Sequence, residues 1–233
     1  ESVEGGGHVI WVYDLSGKTA IQQLTFGSDN QRPIWTPDGK QITFSSNRDD
    51  TLSLYSITSD GTGVAKRLTT AKEGTSHWPE SWSRDGKTLV FNVAKSPRDW
   101  VIWTLSAESG KTESLYAAPD TNYSAGSELS PDGKWLAYVA LRGGTFDIYI
   151  EPFPPTGSKH RISERAGYWP LWSHDGRKLF YRSSVAAGGT GQIGAVLKSV
   201  DIVTEPNFGF SNEQTFPGRG FIIVSLHRDY DIT

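Results

Sequence analysis

Two short runs in this chain, Ser16-Gly17-Lys18-Thr19 and Ser109-Gly110-Lys111-Thr112, carry the ending of a phosphate-cradling loop. There glycine lets backbone amides approach phosphate, and lysine supplies charge. The full pattern needs a glycine five positions before the second one, where Val12 and Leu105 stand. Neither run leads into a helix whose amides could hold an anion, so both are read as turns. Gly189-x-Gly191-x-x-Gly194 has the spacing of a dinucleotide-binding turn, but Ala195-Val196-Leu197 after it has strand character, which makes a loop insertion the better account. The histidines His8, His77, His160, His174 and His227 show no metal-ligand spacing, and His174 is expected in a solvated turn. Asp49, Glu80 and Asp99 are the carboxylates that could serve acid–base or metal chemistry on a shared loop face. No Gly-x-Ser-x-Gly nucleophile elbow occurs. With no cysteine, thiolate catalysis, disulfides and cysteine-ligated zinc are excluded. No catalytic residue, metal site or cofactor is assigned.

The elements that would position such groups announce themselves as a repeat. Trp35-Thr36-Pro37-Asp38-Gly39-Lys40 returns as Trp82-Ser83-Arg84-Asp85-Gly86-Lys87, Leu129-Ser130-Pro131-Asp132-Gly133-Lys134 and Trp172-Ser173-His174-Asp175-Gly176-Arg177. The Asp-Gly pair marks a tight hairpin, with Asp bonding its own backbone and Gly accepting positive φ. This turn-capping role is preferred over a carboxylate array for Asp38, Asp85, Asp132 and Asp175. After each turn an aliphatic (Ile42, Leu89, Leu136, Leu179) and an aromatic (Phe44, Phe91, Tyr138, Tyr181) follow two positions apart, the alternation of a half-buried strand. A third strand brings Leu54-Tyr55, Ile102-Trp103 and Ile148-Tyr149, and a short fourth ends at Leu68-Thr69, Leu115 or Ile162-Ser163. Each unit is a four-stranded antiparallel meander of roughly 40–50 residues, the size of a propeller blade. Sustained helical periodicity is absent. The fold class is therefore all-β, a β-propeller in which stacked blades bury the 28 aromatic residues against one another.

As a single domain over 1–233, full blades are expected at about 31–70, 78–116, 124–163 and 168–217. Residues 8–27 read as the third and fourth strands of a partial blade, and 220–233 as a terminal first strand. The expectation is about five blades' worth of a five- or six-bladed ring, an incomplete piece whose open edges invite self-association; a five-bladed ring closed by the two ends is the alternative. The absence of methionine, together with the start at Glu1, agrees with a processed or excised piece.

The pattern Pro33-x-Trp35-x-Pro37-Asp38-Gly39-Lys40, followed by Ile42-x-Phe44-x-Ser46-x-Arg48-Asp49, resembles the WD40-like (PD40) repeats of TolB-type propellers over nearly the whole chain. Asp147-Ile148-Tyr149-Ile150-Glu151-Pro152-Phe153-Pro154, with the Trp172–Arg182 stretch and Tyr230-Asp231-Ile232-Thr233, is similar to a narrower group: propellers C-terminal to bacterial transmembrane serine/threonine kinases. The resemblance implies a six-bladed ring and an extracytoplasmic or periplasmic setting, and no functional residues.

A formal charge of −3 without a basic block gives no electrostatic footprint for nucleic acid. No apolar run approaches the roughly 18 residues that span a bilayer, so this segment is not expected to insert. Function is then expected where loops converge. In a propeller the loops between blades share an end with the loops joining second and third strands, opposite the Asp-Gly turns. The first set contributes Arg32, His77, Trp78, Tyr123, Tyr168 and Trp169; the second, Arg48, Asp49, Arg98, Asp99, Trp100 and Arg142. Aromatics and arginine are the usual anchors of binding hot spots. An alternative reading has Trp78 and Trp169 plugging the gaps between blades.

Three function classes fit. A non-catalytic binding or sensing module for a protein, peptide or glycan, within a signalling protein, is preferred. The others are the gating propeller of a serine peptidase of the prolyl-oligopeptidase or tricorn kind, its catalytic domain lying outside the chain, and a propeller lyase or glycosidase.

Overall fold

In the computed structural model, residues 2–4, 7–116, 124–164, 166–186, 193–216 and 221–222 are described. No helix occurs among them. The chain divides into two compact units, residues 1–114 and 115–233.

In the first unit β1 (Ser2–Glu4) pairs with β2 (Gly7–Val9), and β3 (Trp11–Val12) with β4 (Gln22–Gln23). Then come two four-stranded antiparallel meanders: β5 (Asn30–Trp35), β6 (Gln41–Ser46), β7 (Ser53–Thr58), β8 (Lys66–Arg67), and β9 (Ser76–Trp82), β10 (Thr88–Ser96), β11 (Asp99–Ser106), β12 (Thr112–Ser114). The second unit repeats the meander in β13 (Ser124–Leu129), β14 (Trp135–Arg142), β15 (Thr145–Pro152), β16 (His160–Arg161), and in β17 (Gly167–Trp172), β18 (Lys178–Ala186), β19 (Ile193–Val203), β20 (Gly209–Thr215). Of the expected terminal strand only β21 (Phe221–Ile222) is described, and it pairs with the start of β19. The rest of it, with His227 and Tyr230–Thr233, lies outside the described residues, as do Gly189 and Gly191.

Sheets pack face to face inside each unit. Ile10 and Leu24 join Ile42, Phe44, Tyr55 and Ile57 in one core, and Leu54 joins Leu89, Phe91, Val93 and Leu105 in the next. In the second unit Ile148, Ile150 and Ile162 meet Trp172, Leu179 and Tyr181. Each such buried side chain stabilises by roughly 1.5–3 kcal/mol. The expectation of half-buried second strands needs correction. In β6, Thr43 and Ser45 are as fully buried as Phe44, and in β10 so are Val90 and Asn92 beside Phe91. Large residues fill one face, while small ones on the other let a neighbouring sheet approach.

The buried tyrosines keep their hydroxyls paired. Tyr55 donates to Asp49 at 2.6 Å, Tyr181 to Glu213, and Tyr138 shares the buried Glu151 carboxylate with Tyr116. Burial pushes the Tyr116, Tyr138 and Tyr181 hydroxyls far above the ordinary phenol value, so they stay protonated donors.

The Asp-Gly turns are capped as the sequence implies. The aspartate Oδ1 accepts from the amide two residues on, at 3.1 Å for Lys40 and 3.0 Å for Lys87, Lys134 and Arg177. The glycines sit at φ between 67° and 71°. What sequence reading missed is the hydroxyl two residues before the Asp. Ser130 Oγ donates to Asp132 at 2.6 Å and accepts from Trp135 N at 3.0 Å, and Thr36, Ser83 and Ser173 repeat the arrangement. Hydrogen bonds from these hydroxyls hold the Asp38, Asp85 and Asp175 carboxyls below their usual range. Ser130 is 3% exposed, so Ser130→Ala strands the Trp135 amide and is expected to cost about 1–2 kcal/mol in chemical denaturation. Wild-type stability for Ser130→Ala would refute the bridge.

The fourth strands end in a hydroxyl for a related reason. Thr25, Thr69 and Ser163 accept the amides of Ile10, Leu54 and Ile148 at 2.9, 3.1 and 3.0 Å, tying the short outer strand to the third. Both P-loop-like runs are tight turns closed by amides of Gly17 and Gly110, donated to Asp14 O and Ser106 O at 2.9 and 2.8 Å.

Candidate functional site

The first strands of three meanders carry a bulge three residues before the Trp or Leu, at Arg32, Gly126 and Trp169, and in β9 the register shifts at Glu80. Gly126 has φ 60°, and a Cβ there would meet nothing closer than 3.5 Å, so backbone conformation rather than space favours glycine. Arg32 and Trp169 adopt the same left-handed backbone, φ 54° and 51°, at a cost of about 1–3 kcal/mol each. Surrounding contacts must hold them there.

For Arg32 those contacts are two indoles. Its guanidinium carbon lies 4.4 Å from the Trp78 ring and 4.9 Å from the Trp100 ring, and the two rings are near parallel at 6.4 Å. Cation–π attraction of this kind contributes about 0.5–2 kcal/mol. The strand register explains the meeting: Trp78 and Trp100 both flank the end of β10, opposite Asn92 and Ala94. Trp100 is 6% exposed, whereas Arg32 and Trp78 are half-buried. At the β10–β11 turn Lys95 and Arg98 are exposed and have no ion-pair partner among the described residues, and Asp99 is half-buried beside them. The result is an aromatic floor with a cationic rim.

The second unit builds a smaller cluster at its equivalent bulge. Arg182, 4% exposed, lies 5.5 Å from the Trp169 ring; Tyr168 lies 5.6 Å from both Trp169 and Phe146. Arg142 is exposed and sits 5.7 Å over Tyr149. Arg182 was not singled out in the sequence; its place directly after the core Tyr181 was the available signal.

Several expected face residues belong to the interior. His77 is 8% exposed: its ring lies 5.2 Å from Phe91, its Nδ1 pairs with Thr69 Oγ1 at 2.8 Å, and its carbonyl accepts from Ser45 at 2.6 Å. Loss of hydration depresses its pKa from 6.5 to about 4, so the ring is neutral. Trp100 and Trp169, the latter 7% exposed, are buried: the bulge turns Trp169 against the strands beside it, and Trp100, at the start of β11, lies against Arg32 and Trp78. Tyr123 lies outside the described residues. Two of the three carboxylates considered for chemistry are engaged: Asp49 pairs with Arg67 and Tyr55, and Glu80 accepts from Asn92. Arg48 turns inward to Ser46 and Asn30, at 3.1 and 3.0 Å. Among the described residues no three His, Asp or Glu gather as metal ligands.

No family profile matches the chain. Two relatives do, in part. An uncharacterised protein of Agrobacterium fabrum is 28% identical over 148 residues, 63% of this chain and 48% of its own length. An uncharacterised peptidase of Bacillus subtilis, YuxL, is 24% identical over 178 residues, 76% of this chain and 25% of its own length. The chain thus spans about half of one relative and a quarter of the other. Among solved structures, a TolB protein of Agrobacterium tumefaciens superposes with TM-score 0.70 at 18% identity, over 91% of this chain and 74% of that one. TolB of Acinetobacter baumannii superposes with TM-score 0.65 at 21% identity, over 82% and 46%. The fold is that of a TolB-like β-propeller.

Proposed function

We propose that this propeller is a non-catalytic binding module that recognises an acidic stretch of a protein, peptide or glycan at the end carrying Arg32, Trp78 and Arg98. One observation carries the reading: an arginine held at φ 54° over two indoles, beside exposed Lys95 and Arg98 that have no ion-pair partner among the described residues. Backbone strain persists where surrounding contacts impose it, and such outliers gather at ligand clamps. A fixed guanidinium on aromatic rings loses little freedom on binding, and arginine and tryptophan dominate binding hot spots. The likeness to TolB structures supports a binding role. No helix among the described residues is long and apolar enough to cross a membrane, and an extracytoplasmic setting, implied by the family resemblance, completes the proposal.

The test compares wild type with Trp78→Ala and Arg98→Glu on peptide and glycan arrays. Ligands held by the wild type should bind about tenfold more weakly to each variant, with the fold unchanged by circular dichroism. Identical binding profiles would remove the site. The likeness to the Bacillus peptidase favours one second reading, a propeller that gates a separate hydrolase domain. A hydrolase domain encoded in the same gene, with peptide cleavage lost on its removal, would establish it.

A further inference from the structure

The opposite, Asp-Gly end of the first unit holds a cleft of about 580 Å³ between its two meanders. Comparison with the same gap in the second unit shows what the space is shaped for. There, Trp135, Ile150 and His160 line the gap, and the chain between β19 and β20 lays Phe208 into it, 4.7 Å from Trp135 and 4.1 Å from His160. Repeat position and strand register place Gln41, Ser56 and Lys66 at those three sites in the first unit. The turn after β11 is short, and only Ala107 and Gly110 reach the cleft from it. Among the described residues nothing there replaces Phe208. The effect shows on Trp82: the equivalent Trp172 is 4% exposed, whereas Trp82 stays half-buried on the wall of the cleft.

The rim carries charge where the filled gap is aromatic: three cations, Lys66, Arg67 and Arg84, and two carboxylates, Asp38 and Asp85. Lys66 and Arg84 are exposed, line the cleft and have no ion-pair partner among the described residues. The aspartates on the same rim, Asp38 and Asp85, already accept turn hydrogen bonds. We infer that this cleft is a second binding site, which takes an aromatic side chain of an acidic peptide segment. The ring enters between the sheets as Phe208 does in the second unit, and flanking carboxylates meet Lys66 and Arg84. A cleft of this volume falls within the range of about 300–1,000 Å³ typical of ligand sites.

The experiment titrates the full chain, by calorimetry, with an acetylated and amidated Glu-Phe-Glu tripeptide. Saturable binding with a dissociation constant below about 1 mM is expected. Glu-Ala-Glu and Lys-Phe-Lys should bind about tenfold more weakly, as should Glu-Phe-Glu to Lys66→Glu or Arg84→Glu, both surface changes checked for intact folding. Lys72→Glu, an exposed charge reversal away from the cleft, should leave the affinity unchanged. No saturable binding to the wild type overturns the inference, as does indifference to both Lys66→Glu and Arg84→Glu. A loss with Trp78→Ala equal to theirs overturns it too, by assigning the peptide to the Arg32 site.

Discussion

Trp172→Ala is expected to destabilise the second unit by about 3–5 kcal/mol, whereas Trp35→Ala, at the same repeat position, should cost below about 1 kcal/mol. The contrast follows from burial. Trp172 is 4% exposed, packs with Ala137, Leu179 and Tyr181, and donates its indole N–H to Glu128 O at 3.2 Å in the preceding meander. Truncation removes the transfer energy of a large ring, leaves a cavity in close-packed surroundings and removes the hydrogen bond to Glu128 O. Trp35 is 53% exposed and has far less to lose. Trp82 stands between them: its indole reaches Thr43 Oγ1 at 3.1 Å, but one side opens on the cleft. The order Trp172, Trp82, Trp35 is therefore the expected order of destabilisation, read by urea unfolding with circular dichroism. Equal losses for Trp172→Ala and Trp35→Ala would show that the indoles do not seal the gaps between sheets.

The second large effect is acid destabilisation of the first unit through His77. Its folded pKa is about 4, against an ordinary value of 6.5, and burial is the cause. Between those values the unfolded chain binds a proton that the folded state refuses, so stability rises with pH across this window. The contribution is complete above about pH 6.5 and is lost as pH falls to about 4, amounting to about 3 kcal/mol. The ring faces Thr69 and Phe91, so no carboxylate contact offsets the lost hydration of the imidazolium. His77→Asn keeps a polar partner for Thr69 and cannot titrate. Its stability should fall less than that of the wild type between pH 6.5 and 4. Parallel pH profiles for the two proteins would show that His77 is solvated.

How much of this was legible in the sequence differs from element to element. The Asp-Gly turns announced themselves, because an Asx turn followed by a positive-φ glycine is a local device whose partners lie within a few residues. The aromatics at Phe44, Phe91, Tyr138 and Tyr181 likewise marked the core of each meander. The first-strand bulge was not legible. Arg32, Gly126 and Trp169 share a positive-φ backbone but no residue type, and only the glycine hints at it. Of the face expected from the loops, Trp78, Arg98 and Arg142 are accessible, while His77, Trp100 and Trp169 are buried. A binding module was already the preferred reading of the sequence; the stacking of Arg32 on Trp78 and Trp100 was not legible there.

Read alone, the chain determined its class: an antiparallel β protein of repeated four-stranded meanders joined by Asp-Gly hairpins. Period-two patterning and turn chemistry are properties of neighbours along the backbone. Tertiary structure decided which of the equivalent gaps are closed and which stay open. Phe208 fills one gap, whereas the same gap in the first unit is left to Gln41, Ser56 and Lys66. It also decided that Arg32 rests on Trp78 and Trp100, from strands more than forty residues away. Such outcomes depend on how bulges and sheet packing aim side chains from distant repeats at one point, and local sequence carries no record of that aim.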